Sequence, residues 1–122
     1  MTDVARIAQA IREAGLSGWL FYNQFHRAEI SDLALGVPRA AHNSRPWAYL
    51  VPADGEPTRI VHAIEPGILG HLPGRLVRCT SRDDLFAAVE EAAGPGARLA
   101  AQFSTSFPVA SFLDHGTARL LE

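Results

Sequence analysis

Residues 44–62 read SRPWAYLVPADGEPTRIVH, and the fold follows from them. In the first half, Trp47, Tyr49 and Val51 alternate with two other apolar residues, which is the period-2 pattern of a strand covered on both sides. A shorter strand-like run follows at 58–62. Between the runs, an Asp-Gly turn flanked by two prolines predicts a hairpin loop, so we expect an antiparallel pair. We interpret the two aromatic side chains as core residues.

Helices and further strands are predicted on both sides of this hairpin. Apolar residues at spacings of three and four predict an amphipathic first helix, and the continuous apolar run WLFY predicts a first central strand. A Ser-Arg-Asp-Asp sequence is typical of a helix N-terminus, and Gly-Pro-Gly ends that helix. The predicted helices are 4–14, 28–35, 65–72, 82–93, 108–113 and one from 117, and the predicted strands are 19–22, 47–51, 58–62, 76–79 and 99–103.

The alternation of these elements predicts the fold class. Because strands and helices alternate except at the hairpin, we expect an α/β fold, a mixed sheet of about five to six strands with helices on both faces. The 122 residues fit one domain, which is long enough to bury a core without a metal or disulfide staple. The last helix is only beginning at Glu122, so we expect a fragment cut before its final helix and strand.

Composition limits the partners and the compartment. A net charge of -2 gives no long-range field for nucleic acid, and the apolar runs are far shorter than a membrane span. The first residues lack the basic start and apolar centre of a signal peptide, and the single cysteine, Cys79, can form no internal bridge. We therefore expect a cytoplasmic protein that binds neither nucleic acid nor membrane, with Cys79 as a small core residue.

Residues that could carry chemistry concentrate in the polar loop before the hairpin, which contains His42, Asn43 and Arg45. Arg45 presents a planar fork of donors that suits a carboxylate, and loops that leave a rigid sheet commonly carry binding groups. From the residues alone, an ordinary surface position is the more common role for such an arginine. The sequence contains no P-loop, nucleophile elbow or zinc-protease motif.

Two histidines precede a glutamate by three residues, His26 before Glu29 and His62 before Glu65. On a helix this spacing places both side chains on one face, where they offer two metal ligands. Such pairs also arise by chance, and His62 lies near a strand end, where the spacing does not align them. We assign neither pair to a metal.

Five segments, in order, resemble the N-terminal domain of Xaa-Pro aminopeptidases, prolidases and creatinase, which is the creatinase-type N-terminal domain of peptidase family M24. They are GLSGWLFY at 15–22, LALG at 33–36, HNSRPWAYLVP at 42–52, VHAIE at 61–65 and LPG at 72–74. Residues 103–117 are similar to the segment just before that domain's last helix and strand. The likeness spans nearly the whole chain.

The resemblance implies a ribonuclease-H-like sheet without nuclease activity, with residues 1–122 as a single creatinase-type domain. The catalytic pita-bread domain, not included in these residues, would hold two divalent metal ions on two Asp, one His and two Glu. The present domain would then contain no catalytic residue, metal ligand or cofactor. Its implied partners are its own catalytic domain, a second copy in a homodimer and the peptide substrate of the parent protein. The loops would approach that substrate, with His42, Arg45 and His26 as candidate contacts.

Three function classes stay open at this point. The leading hypothesis is a non-catalytic domain of a metal-dependent Xaa-Pro peptidase that contributes to dimerisation and shapes the substrate site. The second is a small stand-alone enzyme that uses His26, His42 or His62 as a base, which predicts a deep pocket around one histidine. The third is an independent small-ligand-binding module.

Overall fold

The structure is a computed structural model that describes residues 4–24, 29–38, 43–94 and 97–101. Helices and strands alternate through this part of the chain, as predicted. The elements are α1 (Val4–Glu13), β1 (Gly18–Asn23), α2 (Glu29–Leu35), β2 (Trp47–Pro52), β3 (Thr58–His62), β4 (Arg75–Cys79), α3 (Arg82–Ala93) and β5 (Leu99–Ala101).

The described strands form one five-stranded sheet in the order β4-β3-β2-β1-β5. β2 pairs antiparallel with both β1 and β3, whereas β3 with β4 and β1 with β5 are parallel pairs. The predicted mixed sheet is therefore confirmed, and its strand number falls within the predicted range. β1 has a neighbour on each side, as expected for a central strand.

The predicted hairpin is formed by β2 and β3. The two strands pair antiparallel, with Ala48 opposite Ile60. Trp47 and Tyr49 have no exposed surface and pack on one face of the sheet. Leu50 is buried on the other face. The alternating pattern thus reports a strand covered on both sides, and the interpretation of both aromatic residues as core is confirmed.

Helices cover both faces of the sheet. α1 and α2 contribute Ile11 and Leu35 to the core on one face. α3 contributes Leu85 and Val89 to the core on the other face, where Cys79 is also buried, as predicted. Complete burial of one aliphatic side chain stabilises the fold by about 1.5–3 kcal/mol. The two-sided arrangement therefore lets a thin sheet bury apolar side chains in both directions.

The predicted start and end of α3 are confirmed. The Oγ atom of Ser81 accepts a hydrogen bond from the backbone N–H of Asp84 at 3.1 Å. The Asp84 carboxylate accepts hydrogen bonds from the hydroxyl of Thr80 at 2.9 Å and from its N–H at 3.3 Å. At the other end, the N–H of Gly94 donates to the carbonyl of Glu90. These bonds satisfy backbone groups that a helix terminus otherwise leaves unpaired.

The predicted helix at 65–72 is wrong, because the chain between β3 and β4 forms successive turns. The N–H of Gly70 donates to the carbonyl of Gly67 at 3.0 Å, three residues back rather than four. Glycine disfavours a helix by roughly 0.8–1.0 kcal/mol per residue, and two occur in this short segment. The turns also bury Ile68 and Leu69 in the core beneath the sheet.

Side chains from the sheet and from the turns themselves hold these turns against the core. The hydroxyl of Tyr49 donates to the carbonyl of Pro73 at 2.7 Å, and Nε2 of His71 donates to the carbonyl of Leu35 at 2.6 Å. Burial raises the pKa of Tyr49 to about 12, against a smaller opposing effect of Arg59. The phenol therefore remains a donor over the physiological pH range.

Several predicted elements lie outside the described residues, namely the helices at 108–113 and from 117 and the end of the strand predicted at 99–103. Within the described residues, that last strand begins as predicted at Leu99. The longest helix in the described ranges is α3, and none of these helices has the length and apolar composition to cross a bilayer.

Candidate functional site

Polar loops gather at one edge of the sheet. β1, β3 and β4 end at this edge and β2 begins there, since Asn23 pairs with Trp47 and His62 pairs with Cys79. Loops at strand ends commonly carry binding groups, because the sheet holds them in fixed positions. We call residues 23–24, 43–46, 62–65 and 79–82 the loop edge.

Glu65 holds the segment that precedes β2. Its carboxylate accepts hydrogen bonds from the backbone N–H of Ser44 at 3.0 Å, from the Ser44 hydroxyl at 2.9 Å and from the backbone N–H of Arg45 at 2.9 Å. Hydrogen bonds to an ionised acceptor are roughly twice as strong as those between neutral groups. One carboxylate thus fixes the backbone that carries the Arg45 side chain.

Buried amides support the loop edge from inside the fold. Nδ2 of Asn43 donates to the carbonyl of Arg45 at 2.8 Å. At the end of β1, Nδ2 of Asn23 donates to the Asp32 carboxylate at 3.0 Å, and its Oδ1 accepts from the N–H of Gln24 at 2.8 Å. Asn23 and Asp32 are each only 2% exposed. Because buried polar groups are costly unless they are hydrogen-bonded, these bonds stabilise the observed conformation of the loop edge.

Of the three predicted substrate contacts, the structure describes Arg45. Its side chain is exposed, and its guanidinium has no hydrogen-bond or ion-pair partner within the described part of the chain. His42 and His26 lie outside the described residues. The role of all three in substrate contact therefore stays a prediction.

His62 lies at the end of β3 with a defined tautomer. Its Nδ1 atom accepts a hydrogen bond from the backbone N–H of Ile64 at 3.1 Å. An imidazole nitrogen that accepts carries no proton, so the ring proton is on Nε2. Glu65 does not combine with His62 as a ligand pair, because its carboxylate is bonded to the segment before β2.

The two divalent ions implied by the resemblance do not fit the residues that the structure describes. Across 4–24, 29–38, 43–94 and 97–101, no group of three or more His, Cys, Asp or Glu side chains is arranged to hold a metal ion. Catalytic metal sites use at least three protein ligands of these types. The side chains in these ranges therefore do not form the two-ion site.

A cleft of about 190 Å³ opens at the loop edge, between the start of β2 and the start of α3. Both charged lining residues are arginines, Arg45 and Arg82, and His62 lies beside them. The remaining lining residues are two hydroxyl-bearing residues, Thr80 and Ser81, and three with apolar surface, Pro46, Cys79 and Leu85.

The pKa values of two side chains near the cleft are shifted in opposite directions. Burial, and secondarily the charge of Asp84, raise the pKa of the Cys79 thiol. Hydrogen bonds from Thr80 hold the pKa of the Asp84 carboxyl below its usual range. A buried thiol with a raised pKa is a poor nucleophile, because the thiolate is the reactive form. Cys79 therefore contributes to the wall of the cleft rather than to covalent chemistry.

Sequence reasoning missed the bonds that Glu65 makes to the segment before β2 and the position of Arg82 in the cleft. The proline after Glu65 places this residue at the start of a predicted helix, and Arg82 is predicted only as part of the first turn of α3. The register of the hairpin could have predicted the contacts of Glu65. Extending the pairing of Ala48 with Ile60 by two residues places Pro46 opposite His62, so the loops that flank these residues must meet. No comparable local pattern predicts the position of Arg82.

Comparison with known proteins identifies the fold through structure rather than sequence. No family model matches the chain, and no curated protein matches it. Dipeptidase PepE from Mycobacterium ulcerans matches over 97% of this chain with a TM-score of 0.67 and 24% identity. The prolidase from Pyrococcus horikoshii OT3 matches over 97% of this chain with a TM-score of 0.60 and 15% identity.

The lengths of the matched proteins differ. This chain spans 31% of the M. ulcerans dipeptidase chain and 28% of the P. horikoshii prolidase chain. The creatinase/prolidase N-terminal domain of an X-Pro dipeptidase from Streptococcus pyogenes matches over 97% of this chain, which spans 83% of it, with a TM-score of 0.65 and 14% identity. The fold expected from the resemblance, that of a creatinase-type N-terminal domain, is confirmed.

Proposed function

We propose that this chain is the non-catalytic N-terminal domain of a metal-dependent Xaa-Pro peptidase, an aminopeptidase P-like or prolidase-like hydrolase. In this proposal the domain contributes to dimerisation and shapes the substrate site. A pita-bread catalytic domain outside residues 1–122 holds two divalent ions and cleaves the peptide. The partners of the domain are that catalytic domain, a second copy of the protein and the peptide substrate.

The observation that carries this proposal is the relation between fold and length. The chain spans 83% of an N-terminal domain from one dipeptidase but less than a third of two longer chains named as a dipeptidase and a prolidase. The described residues also offer no metal-binding cluster. A domain with this fold, whose described residues form no such cluster, fits a supporting role beside a separate catalytic domain.

The loop edge supplies the physical basis for substrate contact. Arg45 has an exposed guanidinium on a backbone fixed by Glu65, and a short Xaa-Pro peptide ends in a carboxylate. The planar donors of arginine match a carboxylate in a bidentate manner. We propose Arg45 as the main contact, with His42 and His26 as further contacts from the neighbouring loops.

We also propose that the protein works in the cytoplasm. Its single cysteine is a buried free thiol, which a reducing compartment preserves. The proposal excludes nucleic acid as a partner because the net charge is -2.

Peptide hydrolysis, measured with the chain and with its full-length parent, tests whether catalysis requires the separate catalytic domain. With Mn²⁺, Co²⁺ or Zn²⁺ present, we expect the 122-residue chain to leave Xaa-Pro dipeptides intact and the parent to hydrolyse them. Light scattering of the parent should give the mass of a dimer. Hydrolysis by the chain alone, lost on substitution of His62, would support the stand-alone enzyme instead.

Substitution of Arg45 in the parent tests its contact with substrate. We expect Arg45→Gln to raise KM about tenfold, because it removes a charge-assisted contact, and to change kcat less. Arg78→Gln is the matched control, since Arg78 is exposed on β4 outside the cleft. Equal KM values for the two variants would remove Arg45 from the substrate site.

The cleft favours a second candidate, the independent small-ligand-binding module. A ligand at 100 times its dissociation constant stabilises a protein by about 2.7 kcal/mol. Thermal unfolding of the chain with amino acids, dipeptides and nucleotides would therefore reveal such a module. Stabilisation by one ligand class together with an inactive parent would favour this candidate over the peptidase domain.

A further inference from the structure

We infer that Arg45, Arg82 and the Nε2–H of His62 form a binding site for a small oxyanion in the cleft at the loop edge. The ligand class is a carboxylate or phosphate group, supplied either by the end of a peptide or as a free anion. This site deepens the proposed function and rests on it for the peptide end, because Arg45 is also the proposed contact for the substrate carboxylate. Binding of the oxyanion itself requires neither a catalytic domain nor turnover.

The charges around the cleft point to an anion. Arg45 and Arg82 are its charged lining residues, and neither guanidinium has a hydrogen-bond or ion-pair partner among the described residues. No carboxylate is part of the lining that the described residues form. Two positively charged residues that line one small cleft repel each other, and an anion bound between them relieves that repulsion.

The neighbouring carboxylates already accept hydrogen bonds, although the charge of Asp84 lies close enough to the cleft wall to act on Cys79. Glu65 is bonded to the backbone and hydroxyl groups of the segment before β2, and Asp84 is bonded to Thr80. Asp83 is exposed on the first turn of α3 and is not part of the cleft lining. The two arginines therefore keep their hydrogen-bonding capacity for a ligand.

Neutral donors complete the site. Since Nδ1 of His62 accepts from Ile64, the imidazole presents its Nε2–H as a donor. The Oγ atom of Ser81 accepts from the N–H of Asp84, which leaves the hydroxyl hydrogen available to donate. A site that contains cations and donors selects ligands that carry only acceptors, as ionised oxyanions do.

The N-terminus of α3 does not supply the attraction. Ser81 already caps it, and Asp83 and Asp84 in its first turn already offset the helix dipole. The inference rests instead on two arginines from separate elements that line one cleft, Arg45 before β2 and Arg82 at the start of α3. These residues are distant in sequence, and the β2–β3–β4 pairing brings them together.

The size and walls of the cleft set the ligand class. Its volume of about 190 Å³ lies below the roughly 300–1,000 Å³ of pockets for drug-sized ligands. Leu85, Pro46 and Cys79 line part of it, and low-dielectric walls strengthen the attraction between a bound anion and the arginines. The geometry thus suits one charged headgroup rather than a whole nucleotide.

The test is an NMR titration of the ¹⁵N-labelled 122-residue chain with N-acetylproline and, separately, with inorganic phosphate at constant ionic strength. We expect saturable shifts at Arg45, Thr80, Ser81 and Arg82 and at the His62 ring. The probe that binds more tightly identifies the source of the oxyanion. Shifts spread evenly over the surface, or no saturation with either probe, would overturn the site.

Variants separate this site from general attraction to positive charge. Arg82→Gln should weaken binding about tenfold, because one charge-assisted contact is lost. Arg78→Gln removes the same charge from β4 outside the cleft and should leave the affinity within about twofold. Equal effects of the two substitutions would overturn the proposal. Unchanged spectra away from the cleft show that each variant is folded, and failure of peptide turnover in the parent has no bearing on this outcome.

Discussion

Arg12, beside one edge of the sheet, differs in its hydrogen bonding from Arg45 and Arg82 at the other edge. The turn edge, opposite the loop edge, consists of residues 14–18, 52–58, 74–75 and 97–99. Beside it, Nη1 of Arg12 donates to the carbonyl of Ala53 at 2.6 Å. At the loop edge, Arg45 and Arg82 make no such bond within the described residues. Arg12 therefore contributes to the fold, whereas the guanidinium groups of Arg45 and Arg82 are unpaired among the described residues, as the proposed oxyanion site requires.

The edges also differ in what holds them together. At the turn edge, Ser17 links three elements: its N–H donates to the carbonyl of Arg98 at 2.8 Å and its carbonyl accepts from the N–H of Ala53 at 2.7 Å. At the loop edge, hydrogen bonds of side chains, chiefly those of Glu65 and Asn43, hold the neighbouring segments together. An edge held by side chains can change its chemistry through substitution without disturbing the backbone pairing of the sheet.

The largest expected effect is at the turn edge. Gly74 has φ 120, and a Cβ atom there would collide with the carbonyl oxygen of Pro57. We expect Gly74→Ala to lower the free energy of unfolding by about 3 kcal/mol in urea denaturation. Gly55→Ala is the control, because Gly55 has φ 107 with no atom within 4 Å, and should cost about 1 kcal/mol. Equal losses would show that the collision is relieved by movement.

The second effect is at the loop edge. Glu65→Ala removes the acceptor for three donors and should lower the free energy of unfolding by about 2 kcal/mol. Hydrogen exchange at the amides of Ser44 and Arg45 should accelerate, while exchange at Ser17 stays unchanged. Glu56→Ala, at an exposed turn position, is the control. Retained protection of Ser44 and Arg45 would contradict the role assigned to Glu65.

The third effect compares the arginines directly. Arg12→Gln should cost about 0.5–1 kcal/mol of stability, because it removes a bond to a backbone carbonyl. Arg45→Gln should change the free energy of unfolding by less than about 0.5 kcal/mol, as expected for a surface substitution. Chemical denaturation of both variants measures the difference. A loss at Arg45 equal to that at Arg12 would mean that both edges use arginine for stability.

The smallest effect concerns pH. Bonds from Thr80 lower the pKa of Asp84 in the folded protein, so the ionised carboxylate stabilises the fold above its unfolded pKa of about 3.9. This contribution is lost as pH falls through the folded pKa. Asp84→Asn should therefore differ most from the wild type above about pH 5 and converge with it in stronger acid. Asp83→Asn is the control, and a constant difference for Asp84→Asn across this range would contradict the assignment.

The fold was largely predictable because its signals are local. The alternation in β2, the Ser81 cap and the terminating Gly94 each act within a few residues. The segment 65–72 was predicted wrongly because the proline signal for a helix start was outweighed by two glycines and by burial of Ile68 and Leu69, which depends on the assembled core.

The candidate site was predictable only in part, because it is assembled over long distances in sequence. Arg45 could be selected from its loop position and its chemistry. The bonds from Glu65 to Ser44 and Arg45 bridge 21 and 20 residues, respectively, and depend on hairpin register. Arg82 enters the cleft only because β4 pairs in parallel with β3, which no local pattern specifies.

Strand β4 forms one border of the described sheet and carries exposed Arg75 and Arg78. A border strand offers backbone groups to which a foreign strand can add, and this is a common route to aggregation. Two molecules that joined along this border would crowd their guanidinium groups together at close range. The charge of these two arginines therefore disfavours the addition of a further strand to β4. In other proteins a proline or a β-bulge in the edge strand has the same effect.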